Sequence, residues 1–444
     1  MEVTRSPRPA RLLEVELSEG IPSVPTVHPD TGTAYNRVLS LVRLHTHPVG
    51  LVQIDLGAAG ISGAEHARAI WQAAREDIQE HLRQDGLPVP ATLSTQRLAD
   101  SPRPRCMRTR EDMAGRGPEV SVVICTRDRT DDLAECLATL DQQDYHRYEI
   151  LVVDNAPSTR ATEDLMKRRY GNEPHIRYVR EDLPGLSNAR NRGLAEARGD
   201  IIAYTDDDVL LDRSWLSELV NGFSVTEDVA CVTGLVVPLE LETQAQLWFE
   251  EFGGYCKGFR TRIFDLDGHR PKNPLFPYAI AMVGTGSNMA FTKRALIALG
   301  GFDPTLGTGT RALGGEDLAA FFQTMTEGYK LVYTPAAFMR HKHRPEYASL
   351  RKQMFGYGAG LTAYATKVLL SDPARAFRAL VPQLPAAMRY ALSPDSPKNS
   401  RKSEDYPAEL TRIELKGMMY GPLAYLRARW DARTIRWGSR KCCR

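Results

Sequence analysis

From Val120 onward the chain alternates short, unbroken apolar runs with amphipathic stretches. VSVVIC is followed by TDDLAECLATLDQQ, YEILVVD by TEDLMKRRYG, and then come HIRYVRE, GLSNARNRGLAEARG and DIIAYTDDD. Apolar runs without polar alternation suit strands covered on both faces. Their alternation with helical patterns predicts a mostly parallel sheet joined by right-handed crossovers. Such open sheets gather ligands beyond the carboxyl ends of their strands. Here those ends carry Thr126 to Arg129, Asp154 with Asn155, and the carboxylates Asp206, Asp207 and Asp208. Three adjacent acids repel one another, so a folded chain keeps them together where they are solvated or meet a cation.

Before this region the pattern differs. RLLEVEL and YNRVLSLVRLHTHPVGLVQIDL are strand-like, and SGAEHARAIWQAAREDIQEHLRQDG has helical spacing, with Ser62 and Glu65 at the separation of a capping box and Gly86 as its stop. Residues 101–118, rich in Pro, Arg and Gly and without apolar periodicity, read as a linker. The expected organisation is a small α/β accessory unit over 1–100, that linker, a catalytic α/β domain over 119–345 and a helical C-terminal region over 346–444.

Length and composition, at 444 residues with 42% hydrophobic and 25% charged, suit a folded protein of more than one unit. No apolar stretch approaches the roughly 18 residues that span a bilayer, and acids occupy the place where a signal peptide would have its apolar core. The expected location is cytoplasmic. The seven cysteines show no metal-type spacing and read as reduced thiols. Charge is uneven: residues 338–444 hold 21 lysines and arginines against 8 acids, on a body that is net acidic.

In VSVVICTRDR, ILVVDNAPS, LPGLSNARNRGLAEARGDIIAYTDDDVLLDRSWL, GTGSNMAFTKRAL and GGFDPTLGTGTRALGGEDLAAFFQTMTEGYKLVYTPAAFMRHKH the chain resembles the family 2 glycosyltransferases. These are inverting enzymes of the GT-A fold, a Rossmann-like, mostly parallel sheet flanked by helices. The likeness runs from about residue 118 to 343. It implies transfer of a sugar from a nucleotide-diphospho-sugar to an acceptor hydroxyl, assisted by Mn²⁺ or Mg²⁺, in polysaccharide, glycolipid or glycoconjugate synthesis at the cell envelope.

The resemblance also implies residue roles. Asp206 falls mainly to the ribose side of the donor and Asp208 to the metal, with Asp207 beside them. Oxygen ligands from a short turn suit such an ion. Asp154, Thr126 and Arg127 would line the nucleotide pocket, although Asp154 also suits a turn cap. Arg190 would meet the nucleotide or diphosphate. Gly286, Ser287 and Asn288 would border the acceptor and the transferred sugar. Asp317 would take the acceptor proton, with Glu316 as alternative or positioning partner, since a neutral alcohol needs a carboxylate within hydrogen-bond reach. Acids in a first helical turn also suit the helix dipole. His341, ahead of His343, would complete the metal site.

The C-terminal segments SLRKQMFGYGAGLTAYATKVLL, PARAFRALVPQLPAAMRYAL and GPLAYLRARWDARTIRW read as amphipathic helices. They can lie on an anionic membrane surface, which fits a lipid-linked or carbohydrate acceptor, or pack on the core. No nucleic-acid module is present. In the first unit, His45 and His47 lack cysteine or acid neighbours in sequence, which argues against a metal site. Two other readings stand beside the transferase: a catalytically silent sugar-nucleotide-binding scaffold, against which Asp206, Asp208 and Asp317 speak, and a sugar nucleotidyltransferase, which would want glycines in CTRDRTDDL.

Overall fold

Ser62 and Gly86 bracket the first helix as their chemistry requires. In the computed structural model, which describes residues 9–98, 100–374, 381–393, 395–396 and 398–441, α1 spans Gly63–Asp85. The Ser62 hydroxyl accepts from the Glu65 amide, the Glu65 carboxylate accepts from the Ser62 amide, and Gly86 turns left-handed with φ 73°. The face bearing Ala67, Ile70, Ala74, Ile78 and Leu82 packs on a three-stranded sheet through Val15, Val42, Leu44, Val49 and Val52. That sheet is β1 (Ala10–Glu16), β2 (Arg37–Leu44) and β3 (His47–Asp55), with β1 parallel and β3 antiparallel to β2. The long run read as one strand-like segment is thus a hairpin, turning at His45 and Thr46, both at positive φ.

The expected linker contains a helix, α2 (Arg105–Arg116). Its sequence lacks an apolar stripe because a buried guanidinium anchors it: Arg110 donates to the Thr46 hydroxyl and sits near Asp144 and Glu218.

The second sheet has nine strands. They are β4 (Val120–Thr126), β5 (Tyr148–Asn155), β6 (Ile176–Glu181), β7 (Ile201–Asp206), β8 (Val209–Leu211), β9 (Val229–Pro238), β10 (Arg262–Phe264), β11 (Asn288–Thr292) and β12 (Lys330–His341). The order is β10-β12-β9-β11-β7-β4-β5-β6, with β8 on the far part of β12. β6, β5, β4 and β7 are mutually parallel, β11 enters antiparallel beside β7 and β9, and β12 runs parallel to β9. Between them lie α3 (Thr130–Leu140), α4 (Ala161–Tyr170), α5 (Leu186–Glu196), α6 (Trp215–Gly222), α7 (Gln244–Phe252), α8 (Lys293–Ala298) and α9 (Glu316–Thr326). This is the mixed α/β, largely parallel sheet flanked by helices that the apolar runs predict. Valines and isoleucines of β4, β5, β7 and β9 are buried on both faces.

Beyond the sheet, α10 (Tyr347–Ser371), α11 (Leu384–Leu392) and α12 (Ala408–Lys441) form the helical region. α10 and α12 cross at glycine contacts. A Cβ on Gly358 would lie 2.1 Å from the Glu414 carbonyl oxygen, and one on Gly417 2.1 Å from that of Phe355, so only glycine permits this approach. Part of the expected middle segment, residues 375–380, and the Cys442, Cys443 pair lie outside the described residues. No helix among the described residues is long and apolar enough to cross a membrane.

Candidate active site

Register brings the acids together. Thr126 at the end of β4 pairs with Asp154 on β5, and Cys125 pairs with Asp206 on β7, so three neighbouring strands end in polar side chains on one edge of the sheet. On the other flank β12 delivers His341, paired with Val209 of β8 just after the acidic turn. Asp206, Asp208 and His341 each offer a ligand atom, all within 4.8 Å of one another.

The three acids differ in surroundings. Asp206 is the most open, with its side chain 31% exposed. Desolvation in the cleft still raises its carboxyl to about 6 against the pull of Arg190. Asp207 turns inward, accepting from the Thr126 hydroxyl at 2.8 Å and from Arg129 at 2.7 Å, and burial lifts it to about 7. Burial also works to raise Asp208, but His341 at 3.4 Å, Arg129 at 3.0 Å and Arg344 at 3.5 Å outweigh it and hold it below the ordinary value. Burial pushes His341 down to about 4, so its imidazole is neutral at neutral pH, the form that binds metals. Two carboxylates and a neutral imidazole fit a Mn²⁺- or Mg²⁺-type ion with further positions open.

His343 does not share that position. Its Nε2 lies 2.7 Å from Glu250 Oε1, and its Nδ1 is 3.3 Å from His341 Nδ1. It orients His341 from behind.

Arg190, on α5, is buried and committed to protein partners. It donates to Glu316 Oε1 and to the Gly286 carbonyl, each at 2.9 Å, and lies 3.8 Å from Asp206. It therefore ties Asp206 to the start of α9 instead of facing open cleft. Glu316, buried in that pair, is raised by desolvation to about 7. Asp317 is only partly buried and accepts from the Gly286 amide at 3.0 Å. Gly286 is confined between these groups, since a Cβ there would lie 2.9 Å from Arg190 Nη2 and 3.1 Å from Asp317 Oδ2.

The other expected residues have these surroundings. Arg127 is half exposed, with Asp128 as its acid neighbour at 3.7 Å. Asp154 is buried and accepts from Tyr178 at 3.0 Å, while its second oxygen has no hydrogen-bond partner; it caps no turn. Ser287 is buried beside Thr285 at 3.1 Å. Asn288 belongs to the core: it accepts from the Trp215 indole and donates to the Leu235 and Ala337 carbonyls, beside the bulge where β12 slips register between Thr334 and Phe338. Both protons of its side-chain amide are taken, because the bulge frees carbonyls that something must satisfy.

Three further residues reach the site. Arg129, at the start of α3, binds Asp207, Asp208 and Asp132 at once; its place three residues before an acid in RDRTDD was the available signal. Tyr255 packs on His341 at 4.9 Å between ring centroids. Lys257, whose ammonium is pushed down by burial, lies within the electrostatic reach of Asp317. Both follow α7, in a stretch with no recognisable motif.

The chain is similar to known proteins over this region. Residues 121–299 match the model of the glycosyl transferase family 2. The chain is 24% identical over 248 residues to a glucosyl-dolichyl phosphate glucuronosyltransferase of Haloferax volcanii, covering 54% of this chain and 75% of that one. It is 24% identical over 243 residues to the pre-mycofactocin glycosyltransferase of Mycobacterium tuberculosis, covering 54% of this chain and 47% of that one. Among solved structures, a mannosyltransferase of Pyrobaculum calidifontis in complex with GDP-Man and Mn²⁺ superposes with a TM-score of 0.44 at 21% identity, covering 71% of this chain and 88% of that one. Over residues 121–299 the chain therefore carries a glycosyl transferase family 2 domain, and the curated relatives named here are glycosyltransferases.

Proposed function

We propose that the protein is an inverting, metal-dependent glycosyltransferase that moves a sugar from a nucleotide-diphospho-sugar to an acceptor hydroxyl. The observation that carries this reading is the convergence of Asp206, Asp208 and His341 on one side and Asp317 on the other, joined through Arg190, Glu316 and Gly286. Asp208, Asp206 and His341 would hold Mn²⁺ or Mg²⁺, which when bound offsets charge on the departing diphosphate. The unpartnered oxygen of Asp154 suits a donor hydroxyl or base N–H at the strand end. Asp317, positioned by the Gly286 amide, accepts the acceptor proton as the hydroxyl attacks the anomeric carbon from the face opposite the leaving group. Glu316, paired with Arg190, is the positioning partner.

The acceptor reading is a lipid-linked substrate met at a membrane surface. On α12, Met419, Leu423, Leu426 and Trp430 are 47–74% exposed at helical spacing, beside Arg427 and Arg429. An apolar stripe with flanking arginines suits an anionic interface, and one relative is named for a dolichyl-phosphate-linked compound. A cytoplasmic location at the inner face of the membrane follows from this reading.

The test is release of nucleotide diphosphate across a panel of nucleotide sugars, with Mn²⁺, Mg²⁺ or EDTA, with and without membrane extract as acceptor. One donor turning over only with metal, with the anomeric configuration inverted in the product, supports the proposal. Turnover undiminished by EDTA, or retention of configuration, overturns it; no turnover of any donor favours the silent scaffold.

A further inference from the structure

The expectation that His45 has no cysteine or acid near it is overturned by the fold. The β2–β3 turn carries His45 to the end of α1, where His81 and Asp85 lie one turn apart on the same face, and the start of α2 adds Cys106. We infer that His45, His81, Asp85 and Cys106 form a closed, tetrahedral zinc site that pins the N-terminal unit to the helix leading into the catalytic sheet.

The geometry supports four ligands around one centre. His45 Nδ1 lies 3.2 Å from His81 Nε2 and 3.0 Å from Asp85 Oδ2. His81 Nε2 is 3.2 Å from Asp85 Oδ2, while Cys106 Sγ is 2.9 Å from Asp85 Oδ2 and 3.8 Å from His81 Nε2. All four ligand atoms fall within 4.8 Å of one another. A tetrahedron with zinc–nitrogen, zinc–oxygen and zinc–sulfur bonds of ordinary length has edges of about 3.3–3.7 Å, so small adjustments suffice. The other Asp85 oxygen accepts from the Cys106 amide at 2.8 Å, the kind of outer contact that orients a ligating carboxylate.

Chemistry selects the ion. Two imidazoles, a thiolate and a carboxylate form a borderline-soft set suited to Zn²⁺ and poorly suited to Mg²⁺. The His45 and Asp85 side chains are buried, and that of His81 is 11% exposed, so four protein ligands close the site and leave no position for substrate. A cleft of about 650 Å³ bordered by His47, His81, Asp85, Cys106, Glu218 and Arg260 gives an entry path. The same turn meets the catalytic domain through His47, 2.9 Å from Glu218 on α6, and through Thr46, bonded to Arg110 of α2.

The test uses the full chain with Cys442 and Cys443 changed to Ser, so that the terminal thiols cannot contribute. After dialysis against Zn²⁺ and gel filtration, elemental analysis should find one zinc per chain, lost in Cys106→Ser and in Asp85→Asn and kept in Asp208→Ala. No retained zinc, or an equal content in Cys106→Ser, overturns the inference. Should the variants fail to fold, Co²⁺ loading of the parent chain decides: a thiolate-to-cobalt charge-transfer band with intense tetrahedral visible bands supports the site. A spectrum without the charge-transfer band leaves only a hydrogen-bonded cluster and overturns it. Donor turnover measured on the same samples keeps this outcome separate from that of the transferase reading.

Discussion

The Asp206, Asp208 and His341 cluster and the His45, His81, Asp85 and Cys106 cluster both gather ligand atoms in a buried setting, yet they are built for opposite ends. The first sits where strands end, supplies three hard or borderline atoms, and has the partly exposed Asp206 on its open side. The second draws four atoms, one of them sulfur, from a hairpin turn and two helices, and its acid is taken up on both oxygens. An incomplete, oxygen-rich set leaves positions for a substrate's phosphates; a complete set with a thiolate leaves none. Ligand count and softness thus separate the proposed catalytic site from the inferred structural one.

The sharpest way to break this contrast is Asp208→Ala. It should lower donor turnover about 10³-fold, the scale of losing a principal electrostatic contributor, while thermal stability and zinc content stay near those of the parent. Loss of both together would mean that the two clusters are not independent. Next in size is Asp317→Asn, expected to lower kcat for transfer about 10²- to 10³-fold with donor KM little changed, as befits a proton acceptor. If Glu316→Gln instead shows the larger kcat loss with an unaltered melting curve, the base has been assigned to the wrong carboxylate. Gly286→Ala is smaller, about 10²-fold. The added methyl would press on Arg190 and Asp317 at 2.9 and 3.1 Å and shift the base without removing it. Steady-state rates that match the parent would show that this junction has slack.

How legible each region was follows from where its signals lie in the chain. The sheet announced itself because doubly buried strands such as VSVVIC and DIIAY are short, apolar and separated by amphipathic helices, and Ser62, Glu65 and Gly86 declared both ends of α1. The acidic cluster is legible because a strand end concentrates Asp206, Asp207 and Asp208 in one turn. Asn288 reads as an acceptor-side residue because its neighbours in sequence say nothing of the β12 bulge across the sheet, whose carbonyl takes up its amide. α2 reads as linker in sequence because a buried Arg110, not an apolar stripe, anchors it. The four-ligand cluster was invisible for a related reason. Its members are 36, 4 and 21 residues apart, a spacing with no motif, and only the turn at His45 and the stop at Gly86 bring them together.

The smallest predicted effect tests whether burial alone makes a histidine a ligand. His66 in the same unit is as buried as His45, but both its ring nitrogens are used, by Ser40 Oγ at 2.9 Å and by the Pro22 carbonyl at 2.9 Å. Burial holds its pKa below the ordinary value despite the carbonyl. As pH falls through the ordinary histidine range, near about 6.5, the unfolded chain takes up this proton before the folded one does. The stability His66 contributes is therefore complete above that range and is lost on acidification, with a slope of at most about 1.4 kcal/mol per pH unit for one proton. In zinc-loaded protein, His66→Asn should flatten the decline of melting temperature between neutral and mildly acidic pH while leaving the zinc equivalent in place. If the variant releases zinc, the ligand set in this unit extends to a histidine whose nitrogens are both committed to protein oxygens, and the distinction between packed and ligating histidines fails here.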